Sequence, residues 1–226
     1  MAYLSGALFC FSSISQGTII FGNLDTGSSD GATFLVAGGP AGFQRVREAV
    51  GFTVVGDQSG TFTFTVRVNN PNPSPVILTL VNNNGGNPSE TPTFSLSTPT
   101  FGATVAGGGA GYTATGSGTL TAGSTYWLVA STSTTITDSF RWVSRGAYNS
   151  SYNTIATWAG TRFEQGNGDP GDFTWGAQTS FFPGMSIDVT PVPEPAQSGV
   201  LALLFLVACS ITDLVRRKRI APKFRR

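Results

Sequence analysis

The side chains with the clearest chemical potential are aromatic, and they are concentrated in one part of the chain. All four Trp and four of the five Tyr lie between residues 112 and 175. Exposed aromatic rings stack on the apolar faces of sugars while polar neighbours bind the hydroxyls. Five of them have Ser, Asn, Asp or Gly neighbours, as a glycan-binding site requires: Trp142, Tyr148, Tyr152, Trp158 and Trp175. Core packing is the preferred interpretation for Trp127 and Trp142 and, by a smaller margin, for the aromatic residues predicted in loops.

Acidic residues offer two further kinds of chemistry. Asp169 and Asp172, within residues 167–172, could supply oxygen ligands to Ca²⁺, as could residues 25–30. Neither segment has EF-hand or nonapeptide-repeat spacing, so tight-turn chemistry is the preferred explanation and we expect no metal. A glycosidase needs two carboxyl groups, and the candidates have no known separation. These candidates are Asp138, Glu164, Asp169, Asp172 and Asp188.

The composition excludes several mechanisms. The 226-residue chain has no His, which removes His-based acid–base catalysis, Ser-His-Asp and Cys-His nucleophiles and His-containing zinc sites. The glycine-rich segment 107–111 is not followed by Lys, and residues 1–215 contain no Lys at all. A phosphate-binding loop and nucleic-acid binding are therefore not expected. We expect a non-enzymatic protein without a cofactor.

Both ends of the chain are predicted targeting segments. Residues 1–11 are apolar, and Ser13 and Ser15 fit the small-x-small pattern of a signal-peptidase site. Residues 1–15 are thus a predicted signal peptide that signal peptidase removes, although the basic region that usually opens such a peptide is missing. The alternative is a buried segment of the core.

The C-terminal segment is a predicted single membrane helix. Residues 198–215 are uncharged apart from Asp213 and mostly apolar, and as a helix they span about 27 Å, barely enough to cross a bilayer core. Residues 216–226 carry seven basic side chains and no acid, whereas residues 1–215 carry six basic and twelve acidic ones. The net charge of +1 therefore combines an acidic body with a basic tail. By the positive-inside rule the tail is cytoplasmic and the body outside. A buried helix of a soluble domain is the alternative.

A Pro-Glu-Pro segment precedes this predicted helix. Val192-Pro193-Glu194-Pro195, one short apolar span and an Arg-rich end together resemble the PEP-CTERM sorting signal of Gram-negative bacteria. Pro-rich segments cannot join a helix or a sheet ladder, which keeps the motif extended and accessible to a protease. A plain Pro-rich linker before a permanent anchor is the alternative.

The resemblance implies a partner and roles for particular residues. The tail would be recognised by exosortase, a multispanning membrane enzyme, and cleaved near the motif. Pro193, Glu194 and Pro195 would form the recognition motif. The stop and orientation signal would be Arg216, Arg217, Lys218 and Arg219. Asp213 departs from the all-apolar span of that family. The resemblance also implies a link to extracellular polysaccharide.

The body between these ends has strand periodicity. Residues 61–68 alternate polar and apolar side chains without a fault, and residues 185–190 repeat the pattern. The core face of the first segment is predicted to carry Phe62, Phe64, Val66 and Val68. Residues 76–81 and 125–130 are apolar on both faces, which is typical of central strands. Cys10 and Cys209 lie in the predicted targeting segments, so the body has no disulfide.

Further strands and turn clusters complete the predicted fold. Strands are predicted over residues 18–21, 49–55, 112–120 and 136–143. Clusters of Gly, Pro and Asn indicate turns at 69–75, 82–92 and 102–111. About ten short strands predict an all-β, jelly-roll-like β-sandwich with one C-terminal transmembrane helix. The predicted domains are a signal peptide (1–15), a β-sandwich ectodomain (16–190) and a sorting signal (191–226).

The body also has a weaker resemblance. Residues 118–129, a Gly- and Thr-rich turn followed by an apolar strand, resemble the choice-of-anchor domains of bacterial surface proteins. This likeness would cover most of residues 17–190 and implies surface location without a defined activity.

Three functions are left open by the sequence. The first is a non-enzymatic structural protein, exported as a single-pass membrane precursor and then sorted to the cell surface or extracellular matrix. The second is a module that binds extracellular polysaccharide through the aromatic residues. The third, less favoured, is a secreted polysaccharide hydrolase.

Overall fold

The computed structural model describes most of the predicted ectodomain and little of the ends. The described residues are 17–24, 31, 33–38, 45–69, 76–104, 110–132, 139–166, 174–179 and 181–191, with Leu204, Val207 and Ala208. The chain divides into two compact units, Met1–Pro191 and Val192–Arg226. The predicted signal peptide (1–15), the motif at 192–195 and the basic tail from 216 lie outside the described residues. Within the described part of the chain, no helix is long and apolar enough to cross a membrane.

The described part of the first unit is built from β-strands. They are β1 (Thr18–Gly22), β2 (Thr33–Ala37), β3 (Arg45–Val54), β4 (Gln58–Asn69), β5 (Ile77–Asn84), β6 (Asn87–Phe94), β7 (Thr100–Thr104), β8 (Ala110–Leu120), β9 (Thr125–Ser131), β10 (Ser139–Val143), β11 (Ala156–Gly166), β12 (Thr174–Gln178) and β13 (Met185–Thr190). One short 3₁₀ helix, Ser150–Tyr152, lies between β10 and β11. The all-β prediction is therefore confirmed.

Two antiparallel sheets contain these strands. The neighbours in sheet one are β1, β13, β4, β8 and β7. The neighbours in sheet two are β12, β11, β3, β9, β5 and β6. Strands β2 and β10 join the sheets, because β10 pairs with both β2 and the end of β4, and β2 meets β3. The sheets are therefore continuous at one side.

The main core lies between the two sheets. Strand β4 follows the predicted alternation, and its four inward side chains are at most 2% exposed: Phe62, Phe64, Val66 and Val68. These pack in one cluster with Phe52 of β3, Leu128 of β9 and Ile187 of β13. Aromatic pairs bridge the sheets, with ring centroids 5.6 Å apart for Phe62 and Phe94. Alternation works here because each strand has one face on the core and one on solvent.

Sheet two is apolar on both faces. The central strand β9 directs Tyr126 and Leu128 into the main core. Its alternate side chains join a second cluster on the outer face of the sheet, composed of Ala49, Val81, Trp127 and Val129, with Trp175 packed against it. This explains the two-sided apolar pattern at 125–130, which predicted a central strand.

One predicted turn is wrong. Residues 82–92 were expected to form a turn cluster, but β5 and β6 run through them as a hairpin. Only Gly85 and Gly86 turn, with φ of 59° and 88°, values in the left-handed region that glycine tolerates. The Pro residues of β6 are accommodated because β6 lies at the edge of its sheet, where a missing N–H donor leaves no ladder bond unmade.

Other predicted boundaries shift. Gly102 belongs to β7 and Gly111 to β8, so strands enter both ends of the predicted turn at 102–111. Strand β10 covers 139–143 of the predicted 136–143, and the remainder lies outside the described residues. Five strands were not predicted: β2, β6, β7, β11 and β12.

Candidate functional site

Many of the predicted site residues lie outside the part of the chain that the structure describes. The tail residues and the Ca²⁺ candidates lie outside the described residues: Val192, Pro193, Glu194, Pro195, Arg216, Arg217, Lys218, Arg219, Asp169 and Asp172. Asp138 and residues 25–30 also lie outside them. Within the part of the chain that the structure describes, no group of three or more Cys, Asp or Glu side chains is arranged to hold a metal ion.

Trp142 belongs to the core. It has no exposed surface, and its indole Nε1–H donates to the Gly184 carbonyl oxygen at 3.0 Å. A ring enclosed on all sides cannot stack on a sugar, so the interpretation of Trp142 as a glycan-binding residue is wrong and the core interpretation is correct. Trp127 is likewise 1% exposed.

Tyr148 and Trp158 meet at a surface pocket. Their ring centroids are 6.2 Å apart, and Phe182 lies 4.9 Å from Trp158 and 5.7 Å from Tyr148. The pocket has a volume of about 350 Å³. We call it the aromatic pocket; its lining residues are Ala147, Tyr148, Asn153, Thr157, Trp158 and Phe182. Trp158 is 37% exposed, so part of its ring is available to a ligand.

Strand β11 positions Trp158 at the edge of sheet two. Trp158 pairs with Phe52 of β3 and shares its face of the sheet. The register then shifts between Trp158 and Gly160, which marks a bulge in β11. Strand β12 covers only residues 161–165 of β11, so among the described strands the first half of β11 has β3 as its sole neighbour. The aromatic pocket therefore opens beside a part of the sheet edge that no described strand covers.

Tyr148 forms the fixed wall of the aromatic pocket. Its ring stacks on Phe21 of the main core, with centroids 4.6 Å apart. Its hydroxyl donates to the Pro183 carbonyl oxygen at 3.1 Å. Burial raises the pKa of the Tyr148 phenol well above its ordinary value, so the hydroxyl stays protonated and keeps this hydrogen bond.

Asn23 holds the segments around the aromatic pocket together. It is fully buried, and its Nδ2 donates to the carbonyl oxygens of Gly146 at 2.9 Å and Phe182 at 3.4 Å. Its Oδ1 accepts from the backbone N–H of Met185 at 3.0 Å. One side chain thus ties the end of β1, the segment before Tyr148 and the segment that carries Phe182. A buried amide satisfied in this way fixes local geometry.

Two polar side chains at the rim are available to a ligand. Asn153 is exposed and Thr157 is half-buried, and neither side chain makes a hydrogen bond within the described residues. Tyr152 lies in the adjacent 3₁₀ helix, whose first turn is capped by the Asn149 side chain accepting from the Ser151 N–H at 3.0 Å. Tyr152 is half-buried and does not line the aromatic pocket.

Trp175 lies on the opposite face of sheet two. It pairs with Glu164, which pairs with Arg47 of β3, so all three share the outer face. The Arg47 guanidinium lies 5.1 Å from the centroid of the Trp175 ring, a cation–π contact. The sequence grouped Trp175 with Trp158, but the structure separates them by the thickness of the sheet.

Arg47 is the centre of an ionic cluster on that outer face. Its Nε donates to Glu164 Oε2, and its Nη2 lies 2.7 Å from Glu90 Oε1. Burial alone would lower the pKa of Arg47, but the hydrogen bonds to Glu164 and Glu90 outweigh it and raise the pKa. The hydrogen bond from Arg47 lowers the pKa of Glu90. Glu164 is therefore held in an ion pair with Arg47, which argues against a role as the acid of a glycosidase.

Glu48 is a buried carboxyl that the sequence reasoning missed. It is 2% exposed, and its Oε2 has no hydrogen-bond partner among the described residues. Burial raises its pKa from 4.5 to about 8. The alternation of faces along β3 could have revealed it, because every second residue of a strand lies on the same face. Glu48 therefore shares the face of Val50 and Phe52, both of which are core residues. One isolated carboxyl is not a glycosidase pair.

Comparison with protein-family models, with curated proteins and with solved structures gave no match.

Proposed function

We propose that this protein is exported, sorted to the cell surface by an exosortase through its C-terminal tail, and acts there without enzymatic activity. The observation that carries the proposal is the order of three elements: the Pro193-Glu194-Pro195 motif, the apolar span 198–215 and the basic end 216–226. The basic end favours retention in the cytoplasm while the β-domain is translocated. The apolar residues 1–11 support export independently, with signal peptidase as the processing enzyme.

Variants of the motif test the sorting step. The full chain with Glu194→Gln and the unchanged chain would be expressed in an exosortase-containing host, and the intact mass of each product measured. We expect the unchanged chain to lose its tail and Glu194→Gln to keep it. Glu90→Gln, a change of the same kind in β6, is the control and should be processed normally. Equal processing of all three proteins would count against recognition of the motif.

We further propose that the domain is a jelly roll. A jelly roll forms when a long antiparallel ribbon, whose strands pair in nested fashion, folds over a core. Four strand pairs nest in this way: β1 with β13, β3 with β9, β4 with β8, and β5 with β6. The pairs fall alternately in sheet one and sheet two, as folding of such a ribbon requires. Strands β2, β7, β10, β11 and β12 are additions to this frame.

The aromatic pocket favours a second function, carbohydrate binding. The observation that carries it is the partly exposed ring of Trp158 beside Tyr148 and Phe182, with unbonded polar groups at the rim. A pyranose ring presents an apolar face to aromatic side chains and hydroxyls to amides and other hydroxyls. Binding of surface polysaccharide would give a non-enzymatic exported domain a defined role.

Removal of one ring tests this binding. Trp158→Ala removes the exposed aromatic face, and we expect a loss of affinity for an extracellular polysaccharide of about five- to 150-fold, since a stacked ring contributes about 1–3 kcal/mol. Phe101→Ala is the matched control, because Phe101 is 50% exposed but lies on β7, away from the aromatic pocket. A pull-down on insoluble polysaccharide measures both. Equal losses in the two variants would refute the assignment of the site.

A further inference from the structure

The lining of the aromatic pocket carries no charge. Its six side chains are all uncharged: three are aromatic, and the other three are one Ala, one Asn and one Thr. The charged side chains of Arg47, Glu90 and Glu164 lie on the opposite face of sheet two. Glu48 shares the face of Phe52 and Trp158, but it is buried and does not line the aromatic pocket. A ligand in the aromatic pocket therefore meets aromatic surface and neutral hydrogen-bonding groups.

The walls of the aromatic pocket are fixed in this arrangement. Tyr148 is stacked on the core ring of Phe21 and bonded to the Pro183 carbonyl. Phe182 is held by its own backbone carbonyl, which accepts from the Arg145 N–H at 2.9 Å. The buried Asn23 amide links both wall segments. These contacts hold the uncharged lining of the aromatic pocket in place.

The polar groups at the rim suit hydroxyls. The Asn153 amide can donate and accept, and the Thr157 hydroxyl can do both as well. A sugar hydroxyl is also both donor and acceptor, so each contact can be satisfied. A carboxylate only accepts, and it would lose water on entry without meeting a cation.

We propose that the aromatic pocket selects uncharged saccharides over acidic ones such as uronates. This inference rests on the proposed carbohydrate binding and adds the chemical class of the ligand. The charge of the whole domain acts in the same direction, because residues 16–190 contain six Arg against ten acidic side chains. A negative domain repels a polyanion before contact is made.

The test compares matched saccharides that differ in charge alone. A panel of neutral oligosaccharides is prepared, each paired with a derivative in which the C6 hydroxymethyl groups are oxidised to carboxylates. Affinities for the full-length chain in detergent are measured by calorimetry at physiological ionic strength. We expect a neutral member to bind at least about tenfold more tightly than its oxidised partner. Trp158→Ala should lose that binding, and Phe101→Ala should keep it.

A second variant is expected to gain affinity for the acidic saccharide, so that the test does not rest on loss of binding alone. Asn153→Lys places an ammonium group on an exposed residue at the rim of the aromatic pocket. It should raise the affinity for the oxidised oligosaccharide and so reduce the difference in affinity between the neutral and oxidised members of a pair. If Asn153→Lys keeps the same preference for neutral saccharides, the uncharged lining of the aromatic pocket is not the cause of the selectivity.

The outcomes separate the two levels of the proposal. Equal or tighter binding of the oxidised members, still lost in Trp158→Ala, overturns the selectivity but leaves carbohydrate binding in place. Failure of every pair to bind overturns both. Binding that survives Trp158→Ala overturns the selectivity argument as well, because the ligand then occupies a different surface.

Discussion

The buried carboxyl of Glu48 makes the stability of the β-domain depend on pH in a predictable direction. The pKa of Glu48 is about 8 in the folded protein, against an ordinary value of 4.5. A raised pKa means that the folded state holds a proton that the unfolded state releases. The contribution of this group to stability is therefore complete below pH 4.5 and is lost as the pH rises towards 8.

The size of the effect follows from these two values. Between pH 4 and pH 7 the protein loses about 3 kcal/mol of unfolding free energy through Glu48. Each pH unit between the unfolded and folded pKa values contributes about 1.36 kcal/mol. Glu48→Gln removes the titration while keeping the shape of the side chain. We expect the free energy of unfolding of Glu48→Gln, relative to that of the unchanged protein, to rise by about 3 kcal/mol between pH 4 and pH 7.

Urea unfolding followed by tryptophan fluorescence measures this difference at several pH values. Glu90→Gln is the control, because Arg47 lowers the pKa of Glu90 and its contribution is instead lost as the pH falls. Parallel pH profiles for Glu48→Gln and the unchanged protein would refute the reasoning, since they would show that Glu48 titrates at its ordinary pKa in the folded state.

Two further changes test the outer face of sheet two. Gly51→Ala would place a methyl group 2.7 Å from the ring of Trp127, and we expect about 1–3 kcal/mol of destabilisation by overpacking, measured by urea unfolding. Glu164→Gln should cost about 3–5 kcal/mol because it removes one partner of a buried ion pair, whereas Glu90→Gln, whose side chain is 71% exposed, should cost under about 1 kcal/mol at neutral pH. Equal costs for the two glutamates would contradict the burial assigned to the cluster around Arg47.

Strand prediction succeeded where one face of a strand is buried. Strand β4 alternates because Phe62 and Phe64 face the core while Thr61 and Thr63 face outward. The unpredicted β11 lacks this regularity because a bulge follows Trp158 and changes the face of every later residue.

Composition misled the prediction at the sheet edge. Pro and Asn in residues 82–92 indicate a turn, but the pairing of β6 with β5 outweighs that local preference. Edge strands tolerate such residues because one side of the backbone needs no sheet partner. Only the two glycines, Gly85 and Gly86, could have been assigned to the turn with a physical reason.

The aromatic pocket could be predicted in part. Tyr148 and Trp158 were singled out, but their separation from Trp175 depends on which face of the sheet each residue occupies. That property follows from the register of β11 against β3, which is a contact distant in sequence. Phe182 and Asn23 were missed because their segments have no periodicity, and their roles arise only when β1 and β13 come together.

The measurement that tests the central claim most directly is the mass of the mature protein. The full chain is expressed in the producing cells with and without their exosortase, and its intact mass and location are determined. Our account predicts a surface protein that ends near Pro193-Glu194-Pro195 when exosortase is present, and a membrane-retained precursor with the full tail when it is absent. An intact tail under both conditions would contradict the account.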